Sequence, residues 1–184
     1  MDSYQKQRCI ELMLYVLTKT GGTDSYHLMK ILYFAQQKHL ADWGTKMFQD
    51  DIYALQYGPV PSMLYDLIKG KIDDEFNKLF TDNISSAGDD APNVLFANRK
   101  PNMEYLSVAD IDVLDASIID NANLSFNQLL DKSHKEAWAE AFNRPEGAKI
   151  ISPIAMAKEY GATQEMLDYI ADELETEELL SVCN

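Results

Sequence analysis

The stretch that decides the fold is DSYHLMKILYFAQQKHLADW, residues 24–43. Its apolar side chains recur at the three- and four-residue spacing of an α-helix, and one stripe consists of Leu28, Ile31, Leu32 and Ala35. Other apolar side chains, Tyr33, Phe34 and Leu40, fall on the remaining faces. A helix that is apolar around most of its circumference is typical of the centre of a core.

Two residues of this helix stand out as candidates for contact with a partner. Lys30 is predicted to point outward from the apolar helix, because charged side chains are rarely buried. It would then be solvated, or it would pair with an acid or contact a partner. Tyr33 fits the core and the surface equally well.

Further helices are predicted on both sides of the central one. The first covers 3–20 and ends at Gly21-Gly22, and Thr23 or Asp24 caps the central helix. Later helices are predicted at 61–69, at 73–80, from a capping box at Ser107, from a second one at Ser125, at 133–142, from Ser152-Pro153 and from Thr163. Strands are predicted at 51–57, 94–96 and 103–106, and an exposed loop at 82–92.

These elements predict a mainly α fold of the α+β class. It is a compact bundle of about seven or eight helices with a small antiparallel sheet of two to three strands. We expect residues 1–160 to form one helical domain. We expect residues 161–184 to form an amphipathic helix that packs on the same domain.

The charge of the chain is strongly acidic. Its 184 residues contain 30 Asp and Glu against 16 Lys and Arg, which gives a formal net charge of −14. Such a chain binds nucleic acid poorly, and an anionic membrane repels it. The first residues are polar, and no apolar run is long enough to span a membrane, so a cytoplasmic location is expected. Cys9 and Cys183 are expected to be reduced thiols, although a disulfide between them is the alternative.

Patterns typical of catalysis or metal binding are absent from the sequence. The three histidines, His27, His39 and His134, have no second histidine at i+3 or i+4, and no G-x-S-x-G motif occurs. Cys9 lies on an apolar helix face and is predicted to pack. The pair Asp50-Asp51 is predicted to be solvated. We therefore expect no catalytic residue, no metal and no cofactor.

Two local motifs indicate a protein contact. Tyr57-Gly58-Pro59-Val60 follows the first predicted strand and is either a sharp strand-to-helix turn or a rigid, partly apolar surface for a partner. His134 and Trp138 are spaced i,i+4, which predicts one face of a single helix. They are either a buried, hydrogen-bonded pair or part of a groove.

Several of these segments resemble one family in sequence and in order. LMKILYFAQ at 28–36 is followed by Met47-Phe48, by IYA at 52–54, by Tyr57-Gly58-Pro59-Val60, and later by Ser133-His134 with Glu136 and Trp138. This order resembles the Panacea domain of the SocA-like antitoxins, which also occur as phage-associated proteins, over residues 5–160. The chain departs from the family pattern at Ala137, where proline is usual, and at Gln56.

The resemblance implies a helical domain that acts without catalysis. It implies an antitoxin that binds a protein toxin encoded nearby, either as a simple blocker or as an adaptor that passes the toxin to a protease or chaperone. The acidic charge is compatible with a basic toxin. The residues assigned to partner binding are Lys30, Tyr33, Tyr57, Gly58, Pro59, Val60, His134 and Trp138. The alternatives are a regulator that contacts DNA through a helix-turn-helix made of the first two helices, and a small enzyme with an unrecognised site.

Overall fold

The computed structural model describes residues 1–72, 75–88, 91 and 93–182, without the side chains of residues 178, 181 and 182. The helices are α1 (Ser3–Thr20), α2 (Ser25–Trp43), α3 (Ser62–Ile68), α4 (Glu75–Asn83), α5 (Val108–Asn121), α6 (Phe126–Ser133), α7 (Glu136–Phe142), α8 (Pro153–Tyr160) and α9 (Gln164–Val182). The strands are β1 (Thr23–Asp24), β2 (Ile52–Leu55), β3 (Gly58–Pro61), β4 (Ile84–Ser86) and β5 (Val94–Ala97), with a 3₁₀ helix at Met103–Tyr105. The fold is mainly α with small antiparallel sheets, as predicted.

The predicted caps account for the helix boundaries. Asp24 caps α2 by accepting a hydrogen bond from the backbone N–H of His27. Ser107 and Ser125 open α5 and α6 with complete capping boxes, in which the third helical residue also binds back to the cap. Gly44 ends α2 in the left-handed conformation, at φ 70°. Each of these signals is local in sequence, which explains why the boundaries could be predicted.

Helix α2 lies at the centre of the core. It packs against α1, α5, α6, α8, α9 and β3. Leu28, Ile31 and Tyr33 are fully buried. A DNA-recognition helix must present side chains to the major groove, and α2 is buried along most of its length. Helix α2 is therefore too buried to act as the recognition helix that the helix-turn-helix alternative requires.

The strands differ in three ways from the predicted single small sheet. β2 pairs with β3 as a hairpin, while β5 pairs with β1 and β4 in a separate sheet of order β1-β5-β4. The predicted strand at 51–57 ends at Leu55, because the turn falls at Gln56-Tyr57, and Gly58-Pro59 begins β3 and does not lead directly into a helix. Residues 103–106 were predicted as a strand, but Met103–Tyr105 is a 3₁₀ helix.

The exposed loop predicted at 82–92 is wrong for its first part, which continues α4 and then forms β4. The predictions at residues 73, 74, 89, 90 and 92 lie outside the described residues. The same holds for Cys183, whereas Cys9 is a buried free thiol with a pKa that burial raises to about 12.

Helix α9 packs against α2 and α8. Ile170 is buried in this contact, and Leu167 and Leu174 are partly buried. Lys46 reaches Glu177 with a distance of 3.0 Å between nitrogen and oxygen. The division of the chain at residue 160 stays a prediction. In the part of the chain that the structure describes, no helix combines the length and the apolar character needed to cross a bilayer.

Candidate partner-binding surface

The β2–β3 hairpin carries one end of the candidate surface. Its register pairs Leu55 with Gly58, so the turn consists of two residues, Gln56 and Tyr57. Short hairpin turns require residues that accept unusual backbone angles, and Gly58 adopts φ 92° immediately after the turn. As a result Tyr57 stands at the tip of the hairpin with 59% of its surface exposed.

Aromatic side chains from α6 and α7 continue this surface. The ring centroids of Tyr57 and Phe126 are 5.9 Å apart, and those of Trp138 and Phe142 are 4.6 Å apart. The indole N–H of Trp138 donates a 2.9 Å hydrogen bond to the carbonyl of Leu55, which joins α7 to the hairpin. We call the set Leu55, Tyr57, Phe126, Trp138 and Phe142 the aromatic surface. All of its members are exposed except Trp138, which is half-buried.

His134 and Trp138 do not share a helix, contrary to the prediction. His134 is the C-cap of α6, and Trp138 lies in the next helix, α7, which begins at Glu136. Their rings nevertheless stack, with centroids 3.7 Å apart and planes inclined by 5°. The Nε2 atom of His134 is buried, and none of the described residues forms a hydrogen bond with it. Burial, and then the nearby Lys30, lower the pKa of His134.

Lys30 points inward, so the predicted outward position is wrong. Its side chain is fully buried, and Nζ donates a 2.8 Å hydrogen bond to the carbonyl of Pro59. The same nitrogen lies 4.9 Å from the centroid of the Tyr26 ring. Burial lowers the pKa of Lys30 to about 7, because a charged ammonium loses its hydration.

Tyr33 belongs to the core. It is fully buried, and in the part of the chain that the structure describes its hydroxyl has no hydrogen-bond partner. Burial, followed by the charge of Glu159, raises the pKa of this phenol. Gly58, Pro59 and Val60 are also buried. Of the residues assigned to partner binding, Tyr57, His134 and Trp138 therefore retain accessible surface, and the assignment itself stays a prediction.

Three exposed residues of the aromatic surface are not among those predicted from the sequence: Leu55, Phe126 and Phe142. A signal existed for Phe142, which follows Trp138 by four residues and therefore shares its face of α7. Phe126 directly follows the cap Ser125, and the first turn of a helix often faces solvent. Its exposure depends on where the hairpin lies, which no local pattern reveals.

The contacts of His39 are explained by packing. The Nδ1 atom of His39 lies 2.7 Å from the carbonyl oxygen of Thr45, and Nε2 lies 3.5 Å from the buried carboxylate of Asp110. Asp110 also accepts a 2.7 Å hydrogen bond from Arg8. This network ties α1, α2 and α5 together, and nothing in it supports the enzyme alternative. Among the described residues, no group of three or more His, Cys, Asp or Glu side chains could hold a metal ion.

The sequence also matches a known family. The family model described as "Antitoxin SocA-like, Panacea domain" matches residues 28–139. The chain belongs to the SocA-like antitoxin family. The matched range runs from α2 into α7 and includes the aromatic surface apart from Phe142. Comparison with curated proteins and with solved structures yields no match.

Membership of the SocA-like antitoxins supports an antitoxin-like role and favours a non-enzymatic one. A toxin, in general terms, is the partner that this membership implies. The match is narrower than the resemblance over residues 5–160, because it omits α1 and α8.

Proposed function

We propose that this chain is an antitoxin that binds a protein toxin encoded nearby, and that the aromatic surface is the contact. The observation that carries the proposal is the exposure of Tyr57, Phe126 and Phe142 around Trp138 in a chain of the antitoxin family. Aromatic side chains are enriched at protein interfaces, and clustered ones supply a large share of the binding energy. The toxin and the antitoxin would meet in the cytoplasm.

The charge of the chain favours a basic toxin. A net charge of −14 attracts a cationic partner over distances of about a Debye length, and this attraction raises the rate of association. The antitoxin would act as a simple blocker, or as an adaptor that passes the toxin to a protease or chaperone. The two modes differ in whether the toxin disappears from the cell after it is bound.

The experiment expresses each gene that flanks this one in a sensitive host, with and without this chain, and captures the complex. A toxic product should be silenced and retained by the chain. A stable toxin level in the rescued cells indicates a blocker, and a falling level that depends on a protease indicates an adaptor. If no flanking product is toxic and none is retained, the proposal is wrong.

A matched pair of variants locates the contact. Tyr57 and Tyr4 are similarly exposed, at 59% and 57%, and each ring contacts one other aromatic ring, that of Phe126 or Tyr105. Tyr57→Ala should weaken the retained complex by at least about tenfold, because the tip residue leaves the interface. Tyr4→Ala, on α1, should leave the affinity unchanged. Equal effects of the two variants would place the contact elsewhere.

A further inference from the structure

Lys30 is a buried amine that has no partner of opposite charge among the described residues. Within this part of the chain its one hydrogen bond goes to the carbonyl of Pro59, although an ammonium group has three donors. Burial alone accounts for its lowered pKa, so no carboxylate of the described residues offsets the cost. The burial of Lys30 costs free energy, so we ask which contact of its amine makes up for that cost.

The carbonyl of Pro59 needs a donor from outside the hairpin. In an antiparallel pair, opposite residues alternate between those that exchange hydrogen bonds and those that do not. Ala54, which is opposite Pro59, donates its N–H outward to the carbonyl of Lys149, so this pair does not exchange hydrogen bonds. The Pro59 carbonyl therefore points away from β2 toward α2, where Lys30 supplies the donor.

The contact between Lys30 and the hairpin is close. A Cβ atom on Gly58 would lie 2.8 Å from Nζ of Lys30 and 2.6 Å from Oγ of Ser133. The other strand is held by the hydrogen bond from Trp138 to Leu55. The turn residues Gln56 and Tyr57 thus lie between two hydrogen bonds that hold the hairpin, one to Leu55 in β2 and one to Pro59 in β3.

We propose that Lys30 is a positioning residue for the aromatic surface: its hydrogen bond to Pro59 fixes the hairpin tip and so holds Tyr57 against Phe126. The inference rests on the proposed function, because Lys30 would affect the binding of the toxin. It would do so through the position of Tyr57, without touching the toxin itself. The role differs from a structural one, since Lys30 would contribute to affinity while its hydrogen bond and its burial cost nearly cancel in the stability of the fold.

The test compares Lys30→Met with the unchanged protein. Methionine fills a similar volume, and loss of the buried amine offsets the cost of leaving the Pro59 carbonyl without its donor, so the variant should fold with a melting temperature close to that of the unchanged protein. Hydrogen exchange at the amides of Leu55 and Gly58, which pair across the hairpin next to the turn, should accelerate at least about tenfold. The indole N–H signal of Trp138 should shift, while that of Trp43, which is exposed at the end of α2, should stay in place. The affinity for the toxic flanking gene product should fall about tenfold.

A second pair of variants changes the hairpin side of the contact between Lys30 and the hairpin. Gly58 and Gly147 both have positive φ, at 92° and 81°, but a Cβ on Gly147 would meet nothing within 4 Å. Gly58→Ala should loosen the turn as Lys30→Met does. Gly147→Ala should show only the cost of backbone strain and leave the turn and the affinity unchanged. This pair keeps the test decisive if Lys30→Met does not fold.

The outcomes separate this inference from the proposed function. Hydrogen exchange and the indole signal are measured on the free protein, so they decide whether Lys30 holds the hairpin even if no toxin is found. Normal exchange in Lys30→Met, or faster exchange with unchanged toxin affinity, would overturn the positioning role. Failure of the unchanged protein to retain any flanking product would instead overturn the proposed function.

Discussion

The buried amine of Lys30 should make the stability of the fold depend on pH. Its pKa is about 7 in the folded chain against an ordinary value of 10.5, so above pH 7 the unfolded chain binds more protons than the folded one. The free energy of unfolding should therefore rise with pH from about 7 to 9, by at most about 1.4 kcal/mol per pH unit. Above the ordinary thiol pKa of 9.0, ionisation of Cys9 in the unfolded chain opposes this trend.

Urea unfolding at pH 7, 8 and 9 measures this dependence. Lys30→Met removes the titrating group and should flatten the rise. The same slope in the variant and the unchanged protein would show that another group is responsible.

Glu11 shows how the fold treats a buried charge that has partners. Burial by itself would raise the pKa of its carboxyl, but hydrogen bonds from Arg99 and from the backbone N–H of Asn102 lower it. The bonds connect α1 to the segment after β5. The amine of Lys30, by contrast, has among the described residues one acceptor, the neutral carbonyl of Pro59. Its burial is therefore not explained by charge pairing.

At the scale of elements, Asp50 closes the base of the hairpin. It precedes β2, and its carboxylate accepts hydrogen bonds from the Ser62 hydroxyl and from the backbone N–H groups of Met63 and Leu64, at 3.0 to 3.1 Å. These are the unpaired donors of the first turn of α3. The prediction that Asp50 is solvated is therefore wrong, because its partners lie beyond the hairpin in sequence.

Asp50→Ala should lower the free energy of unfolding by about 2 kcal/mol, since it removes a helix cap and leaves partly buried donors unpaired. Asp51→Ala is the matched control, because the side chain of Asp51 is exposed and should contribute almost nothing. Urea unfolding of both variants gives the comparison. A loss of similar size in the two would mean that the capping contacts contribute little.

At the scale of the whole molecule, the net charge of −14 should govern the encounter with the toxin. If the toxin is basic, raising the ionic strength from about 0.05 M to about 0.5 M should slow association at least roughly tenfold. The dissociation rate should change far less, because the aromatic surface is apolar at its centre. Stopped-flow or surface-based kinetics of the captured toxin measure both rates. An association rate that does not change with ionic strength would show that the partner is not basic.

The positions of the helices and the family could both be predicted from the amino-acid sequence. Caps such as Asp24, Ser107 and Ser125 act within three residues, and the apolar periodicity of α2 is visible without any partner, so both could be predicted. The order of motifs from Leu28 onward was enough to identify the family that the match over residues 28–139 confirms.

The tertiary structure alone decided the strand pairing, the burial of Lys30 and the assembly of the aromatic surface. β1 pairs with β5 across about 70 residues of chain, and Lys30 meets Pro59 across 29 residues. Tyr57 and Phe126 come from elements far apart in sequence, and their contact depends on how the hairpin packs on α2 and α6. Local propensity carries no information about such contacts, because their free energy arises only when distant segments remove the same surface from water.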